Sequence, residues 1–343
     1  MKILFLGNEH PSSTSRHRAD AFVRLGHQVT IVSPQKAIDP FCTNRILGAI
    51  HYRMGYALLR TVVRKWVLAQ IEGQRFDMCF VDSGELLSLD TLRDLRQFTP
   101  NIALFNHDDP SGPRDGNRFN TLRKAIPGYD LCLVVRPFNV AEFMALGAKT
   151  VVHVYRSYDE VQHAPQSPGP VPTQFDNDVV FIGSNIPHEG RDAFLLELIR
   201  QGIKPAIWGD KWQDAPHWAQ LKPFWRGGSI SGADYANAMH HAKICLGLLS
   251  KGNRDEHTTR TMEIPYAGGL LCAERTPEHL HLYREGEEAI FWRSAQECAT
   301  QCKRLLDNPA LIQRIKQAGR ARVLANKVGN EDLCRTTIAH LGL

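Results

Sequence analysis

The chain has 343 residues, 43% of them hydrophobic and 22% charged, the make-up of a globular protein too long for one ordinary core and suited to two domains. Its net charge of +5 gathers in residues 1–160, where 20 lysines and arginines face 16 acids; so small an excess, without interleaved aromatics, argues against a nucleic-acid partner. No window nears eighteen uninterrupted apolar residues, which argues against a membrane-crossing helix, and the eight cysteines are scattered, with only Cys298 and Cys302 at helical i,i+4 spacing, so they read as buried thiols of a reducing cytoplasm rather than a zinc site.

In chain order, 2–6 reads as a buried strand rather than a leader, because it lacks a small-residue cleavage site and meets a polar loop at once. A helix over 16–25 ends at Gly26, and a strand over 28–33 ends at Pro34. Strands follow at 76–81, 102–105, 129–135 and 151–154, with helices at 85–98 and 139–146. This βαβ series predicts a mostly parallel sheet with helices on both faces. Four prolines and a glycine between Pro165 and Pro172 mark a linker. Beyond it a second series runs: strands at 179–182, 206–208, 244–248, 270–273 and 288–291, helices at 191–201, 231–242, 259–267, 295–306 and 309–326. The expected domains are 1–164 and 178–343, joined by a linker at 165–177, with the last helix packing back on the first domain. Ligands of such sheets bind beyond the carboxyl ends of the strands.

The stretch 253–274 carries the most chemistry. It opens charged, with Arg254, Asp255, Glu256, His257 and Arg260, enters a helix at Glu263, then turns through Gly268 and Gly269 into a buried strand. Arginine forks match phosphate oxygens and carboxylates accept from hydroxyls, so this loop suits a ligand with both phosphates and sugar hydroxyls. The strings GNRDEHTTRTMEIPYAGGLLCAE at 252–274, FNHDDP at 105–110, RPFNVAEFMALGAKTV at 136–151, FIGSNIPHEGR at 181–191 and WGDKW at 208–212 resemble those of the CgeB-type (spore-maturation-protein-like) glycosyltransferases. The resemblance implies an α/β, GT-B-like fold of two doubly wound Rossmann-like domains facing a cleft. It also implies transfer of a sugar from a nucleotide diphosphate donor held mainly by the C-terminal domain.

On that resemblance Asp255 and Glu263, eight apart, stand where many retaining GT-B enzymes carry two acids, the first near the donor sugar and the second on the ribose. Asp255 is shorter than the usual glutamate, which leaves the stereochemical outcome open, and Glu263 also suits a first-turn acid favoured by the helix dipole. Arg191, Arg254 and Arg260 are candidates to stabilise charge on the leaving diphosphate, a task that metal-free members give to fixed cations and helix N-termini. Gly183 leads from its strand toward Arg191, and Trp208 ends a strand where Gly209 lets a flat base approach and the tryptophan could stack on it, although completing the strand as core is the stronger reading of Trp208. The loop with Asn8, His10 and Arg16 would face the cleft from the acceptor side or simply connect strand to helix with Ser15 as N-cap. His107 and Asp108 follow a strand, His107 as a sugar contact and Asp108 as a base if the enzyme inverts, or as part of an Asp-Asp-Pro turn.

No acid appears from Pro40 through Ile71, while Arg45, Arg53, Arg60, Arg64 and Lys65 do. On one continuous helix Arg53, Arg60 and Arg64 would share a face, able to rest weakly on anionic lipid or to form a solvated cover. No Ser-His-Asp triad, Walker A loop or metal motif is recognisable. The sequence therefore reads as a cytoplasmic, metal-independent glycosyltransferase without a cofactor. A nucleotide sugar would be its donor and a glycan, lipid-linked molecule or protein its acceptor. The rivals are a nucleotide-sugar epimerase on the same fold and a non-catalytic glycan- or partner-binding protein.

Overall fold

The computed structural model describes residues 1–165 and 172–343; most of the proline-rich linker, 166–171, lies outside the described residues. The chain divides into two compact units. The first comprises Met1–Tyr155, Gly252–Arg254 and Asn330–Leu343, and the second Arg156–Lys251 and Asp255–Gly329.

The first unit is built on β1 (Lys2–Leu6), β2 (Gln28–Val32), β3 (Met78–Asp82), β4 (Asn101–Asn106), β5 (Leu131–Val134) and β6 (Val151–His153). They form one parallel sheet in the order β2-β1-β3-β4-β5-β6. Its central strands are apolar without alternation because both faces are covered. Leu4, Leu6, Cys79, Val81, Ile102 and Leu104 point to one face, where Val63, Val67, Leu92 and Leu122 pack on them. Ile3, Phe5, Phe80, Ala103 and Phe105 point to the other, under Ala19, Phe22 and Leu333. The second cover is therefore made by the helix Thr14–Arg24 and the chain's last helix, Asn330–Leu341, which are tied by Arg24 Nε to Glu331 Oε1 at 2.9 Å.

The second unit holds β7 (Val179–Ile182), β8 (Pro205–Trp208), β9 (Trp225–Gly227), β10 (Ile244–Gly247), β11 (Leu271–Glu274) and β12 (Ile290–Trp292). These form a second parallel sheet, in the order β12-β11-β10-β7-β8-β9. In each unit the strand order reverses once, between β1 and β3 and between β7 and β10. Doubly wound sheets place ligand crevices at such points.

Two local expectations are corrected. The first helix begins at Thr14, two residues early. Ser13 Oγ caps it, accepting from Arg16 N at 3.0 Å, whereas Ser15 Oγ accepts from Asn8 N instead, at 2.9 Å. The basic segment is not one helix. Arg45–Arg53 and Arg60–Gln70 are separate, broken where Gly55 and Tyr56 take φ of +59° and 54°. A Cβ on Gly55 would stand 2.6 Å from the Arg118 carbonyl oxygen, so the turn needs glycine both for its conformation and for the close approach. Arg53 consequently lies on a different helix from Arg60 and Arg64, and Arg64 pairs with Asp94 at 2.6 Å. Among the described residues no helix is long and apolar enough to cross a membrane.

Candidate functional site

In the second unit, the carboxyl ends of β7, β10, β11 and β12 open on a pocket of about 290 Å³ whose lining includes Glu189, Arg191, Lys251, Glu274, Trp292 and Arg293. The helix Arg191–Arg200 begins at this pocket. Its N-cap, Gly190, is left-handed (φ 68°) and supplies no side-chain cap, and the first turn of such a helix favours an anion. Arg191 donates from Nη1 to the Ser184 carbonyl at 3.0 Å and from Nη2 to that of Leu249 at 3.3 Å. It thus ties the loop after β7 to the loop after β10. Glu189 accepts from Ser250 Oγ and Lys251 N at 3.1 and 2.7 Å, fixing the same rim. The side chains of Lys251 and Arg293 stand exposed on it. Gly183 and Gly209 meet beside the rim; a Cβ on Gly209 would lie 2.3 Å from the Gly183 oxygen. Trp208 does not line the pocket. It packs toward Phe175 (centroids 6.1 Å apart) and against Gly227.

The two acids eight apart are both engaged within the protein. The helix Thr259–Tyr266 starts in a capping box between Thr258 and Thr261, which turns Glu263 inward, where it is 2% exposed. Its carboxylate accepts from Tyr235 Oη and from Arg260 Nη1 at 2.7 Å, with His163 Nε2 at 3.6 Å. Burial alone would raise its pKa. His163, Arg260 and the tyrosine hydroxyl outweigh burial and hold it below the usual carboxylate range. Arg260 lies over the Tyr235 ring at 4.6 Å and reaches the Ile182 carbonyl at 3.2 Å, at the end of β7. Asp255 pairs with Arg156 at 3.3 Å. Beside it His257 Nε2 accepts from Arg156 N at 3.0 Å and Nδ1 faces Glu278 at 2.5 Å. Accepting from an N–H leaves Nε2 without a proton, so Nδ1 carries it toward Glu278, and burial lowers the pKa of the ring.

Arg254 sits elsewhere than expected, within the first unit. Its fork holds both oxygens of Asp109 at 2.6 Å and meets Glu142 at 3.0 and 3.2 Å, with Phe138 4.1 Å from its guanidinium carbon. These acids push its pKa up and occupy the donors that a diphosphate would need. Asp109 also accepts from Asn139 at 3.1 Å. The buried Arg136 donates to the carbonyls of Asp108 at 2.6 Å and Asn253 at 2.8 Å. Asp109 is therefore the acid that holds the turn, and Asp108 is the one left toward the sheet end.

Asp108 and His107 adjoin a second pocket, of about 160 Å³, at the β1/β3 reversal, lined by Gly7, Asn8, Ser33, Asp82, Ser83 and Glu85 among others. Asp82 anchors it, accepting from Arg18 Nε at 2.9 Å, with His107 Nδ1 at 3.6 Å. Asp108 lies 3.4 Å from Ser83 Oγ and 3.9 Å from His107 Nε2. Gly7 lets the first loop close, since a Cβ there would stand 2.4 Å from Ser15 Oγ. Of Asn8, His10 and Arg16, Asn8 lines the pocket. His10 bonds Ser12 at 2.8 Å and Arg16 bonds Asp20 at 2.8 Å.

Sequence reasoning missed Lys251, Glu274, Arg293, Asp82 and Arg18. It also missed that Cys272 joins Cys298 and Cys302, the three sulfurs lying within 4.8 Å of one another. All three are buried in the apolar core of the second unit. Three sulfurs so placed could hold one metal ion, which the spacing of Cys298 and Cys302 alone did not suggest.

Residues 191–329 match a family model described as "Glycosyl transferase-like". No curated protein matches the sequence significantly. Among solved structures, the chain is similar to that of Anabaena Alr3699/HepE in complex with UDP and glucose, at 14% identity and a TM-score of 0.66, covering 100% of this chain and 99% of that one. It is similar to sucrose-phosphate synthase from Thermosynechococcus elongatus at 12% identity and a TM-score of 0.70, covering 99% and 98%. A third is the trehalose 6-phosphate synthase of Burkholderia multivorans, at 13% and 0.64, covering 99% and 96%. At such identities the likeness establishes the fold, which is GT-B, as the sequence resemblance implied.

Proposed function

We propose that the protein is a cytoplasmic glycosyltransferase of the CgeB type, moving a sugar from a uridine-diphosphate-class donor to an acceptor hydroxyl. The observation that carries this reading is the pocket at the ends of β7, β10, β11 and β12. There an uncapped helix N-terminus, Lys251 and Arg293 offer positive potential, and Glu274 offers an acceptor for hydroxyls. One of the similar structures holds UDP and glucose, and residues 191–329, which carry most of the pocket, match the glycosyltransferase-like model. All eight cysteines are free thiols, in keeping with a reducing compartment.

In this reading the bond between anomeric carbon and diphosphate breaks, and the electron pair leaves on the diphosphate. Lys251, Arg293 and the first-turn N–H groups of Arg191–Arg200 stabilise that charge, so no metal bridge is required. Arg191 shapes the rim through its two carbonyl contacts, and Arg260 with Glu263 holds the helix against the end of β7. The acceptor oxygen bonds to the anomeric carbon while its proton passes to a base, for which Asp108, oriented beside His107 and Ser83, is assigned. Incubation with UDP-sugars, with and without a mixture of glycan, lipid-linked and protein acceptors and in the presence of EDTA, tests the reading. It requires UDP release that depends on acceptor and survives the chelator. Sugar epimerisation without acceptor, or binding without turnover, would replace it with one of the two rivals.

A further inference from the structure

We propose that the helix Arg45–Arg53 and the turn after it form a docking face for an anionic lipid surface. The inference is independent of the reaction assigned above. It starts from a helix with no buried residue. Ile46 is 72% exposed, Leu47 51%, Ile50 44% and Met54 42%, and Leu58 in the following turn is 66% exposed. Ile46, Ile50 and Met54 follow at i, i+4 and i+8, so they stand one above another along a single stripe. A helix is rarely left with such a stripe in water, because burying a side chain of this size is worth more than any local contact it makes there.

Charge selects the occupant. Arg45, Arg53, Arg60 and Lys65 are all exposed, and no acid occurs from Pro40 through Ile71. The acids packed nearby are engaged or lie on another element: Asp39 takes a bond from Gln35 on the preceding helix, Glu85 is forked by Arg118, and Asp94 is taken by Arg64. Arg118 in turn lies 4.8 Å from the Tyr52 ring, so the base of the helix is pinned to the unit while its apolar face is left outward. A protein partner would be expected to bring its own acids into register with individual arginines. A bilayer of anionic headgroups satisfies a loose ring of cations around inserted aliphatic side chains without any register. The break at Gly55 and Tyr56 supports insertion over a flat electrostatic contact. It sets Leu58 and Arg60 beyond a turn from the helix, so the exposed cations fall on two helices and the turn between them rather than on one continuous basic face.

Co-flotation of the full chain with vesicles tests this, using phosphatidylcholine alone and phosphatidylcholine with a third phosphatidylglycerol, at low and high salt. The expected result is binding to the anionic vesicles only, weakened by salt. Arg45→Gln, Arg53→Gln and Arg60→Gln together should weaken it on the order of a hundredfold, from about fivefold per cation near such a surface. Ile46→Gln, Ile50→Gln and Leu58→Gln should abolish it with unchanged circular dichroism and thermal midpoint, since none of the three side chains is buried. An Ile50→Trp chain should show a blue-shifted emission on binding, quenched by lipids spin-labelled near the headgroup. Absence of vesicle binding by the wild type overturns the proposal. So does concentration-dependent dimerisation that the glutamine variants remove, which would make the face a contact between copies of the chain. Binding that survives the apolar variants overturns it as well.

Discussion

Arg254 offers the sharpest distinction between a donor-binding cation and a structural one. Its fork closes on Asp109, whose side chain is 2% exposed, while Arg254 itself is 35% exposed. Removing one partner of a fully buried pair costs about 3–5 kcal/mol, because the other charge is stranded. Here Asn139 still donates to Asp109 and water reaches a third of the arginine, so Arg254→Ala should cost about 2–3 kcal/mol. With a slope of about 2 kcal/mol/M for a unit of this size, the urea midpoint of the first unit should fall by roughly 1–1.5 M. Arg254→Lys keeps the charge and loses the fork, and should fall between the two. Neutralising both sides, Arg254→Gln with Asp109→Asn, should recover part of the loss because no buried charge remains. The assay is urea unfolding followed by fluorescence and circular dichroism, with UDP affinity measured on the folded variants. An Arg254→Ala chain that keeps its urea midpoint and loses UDP affinity tenfold or more would refute the structural role and return Arg254 to the donor site.

Two further outcomes are expected. His279 is buried with its ring nitrogens at Glu274 O and Thr261 Oγ1, and burial lowers its pKa to about 4, as burial also lowers that of His257. The unfolded chain takes those protons near 6.5, so stability should be complete above that pH and fall by about 1.4 kcal/mol per unit for His279 alone as pH drops from 6.5 toward 4; a thermal midpoint flat between pH 7 and 5, or a His279→Gln chain with the same slope as the wild type, contradicts this. Asp108→Asn should lower transfer by about 10²–10⁴-fold with little change in UDP affinity; a variant that instead unfolds more readily and keeps its specific activity makes Asp108 a turn residue.

Strands buried on both faces announce themselves as uninterrupted apolar runs, which is why β1, β4, β5, β7 and β10 were legible from residue types alone. Trp225–Gly227 was not, because three residues ending in glycine give no period to read. At the site, the arginines and acids of 253–263 were visible as chemistry, but their directions were not. Glu263 turns inward because Tyr235 and His163, distant in sequence, complete its cluster. Asp108 and Asp109 are neighbours of the same type, and contacts with Asn139 and with Arg254, 145 residues away, mark out the buried acid from the half-buried one. Lys251, Glu274 and Arg293 carry no motif; the parallel order of β10, β11 and β12 brings them to one rim. The basic segment misled because arginine spacing was projected on a continuous helix that Gly55 and Tyr56 interrupt.

The central claim, that the pocket at the ends of β7, β10, β11 and β12 holds the donor diphosphate, is tested most directly by calorimetric titration of UDP into the wild type and into Lys251→Ala with Arg293→Ala. Each charge-assisted contact is worth about 1.5–3 kcal/mol, so the double variant should bind UDP at least a hundredfold more weakly with an unchanged thermal midpoint in the absence of ligand. Equal affinity in the two proteins would place the nucleotide elsewhere and contradict the assignment.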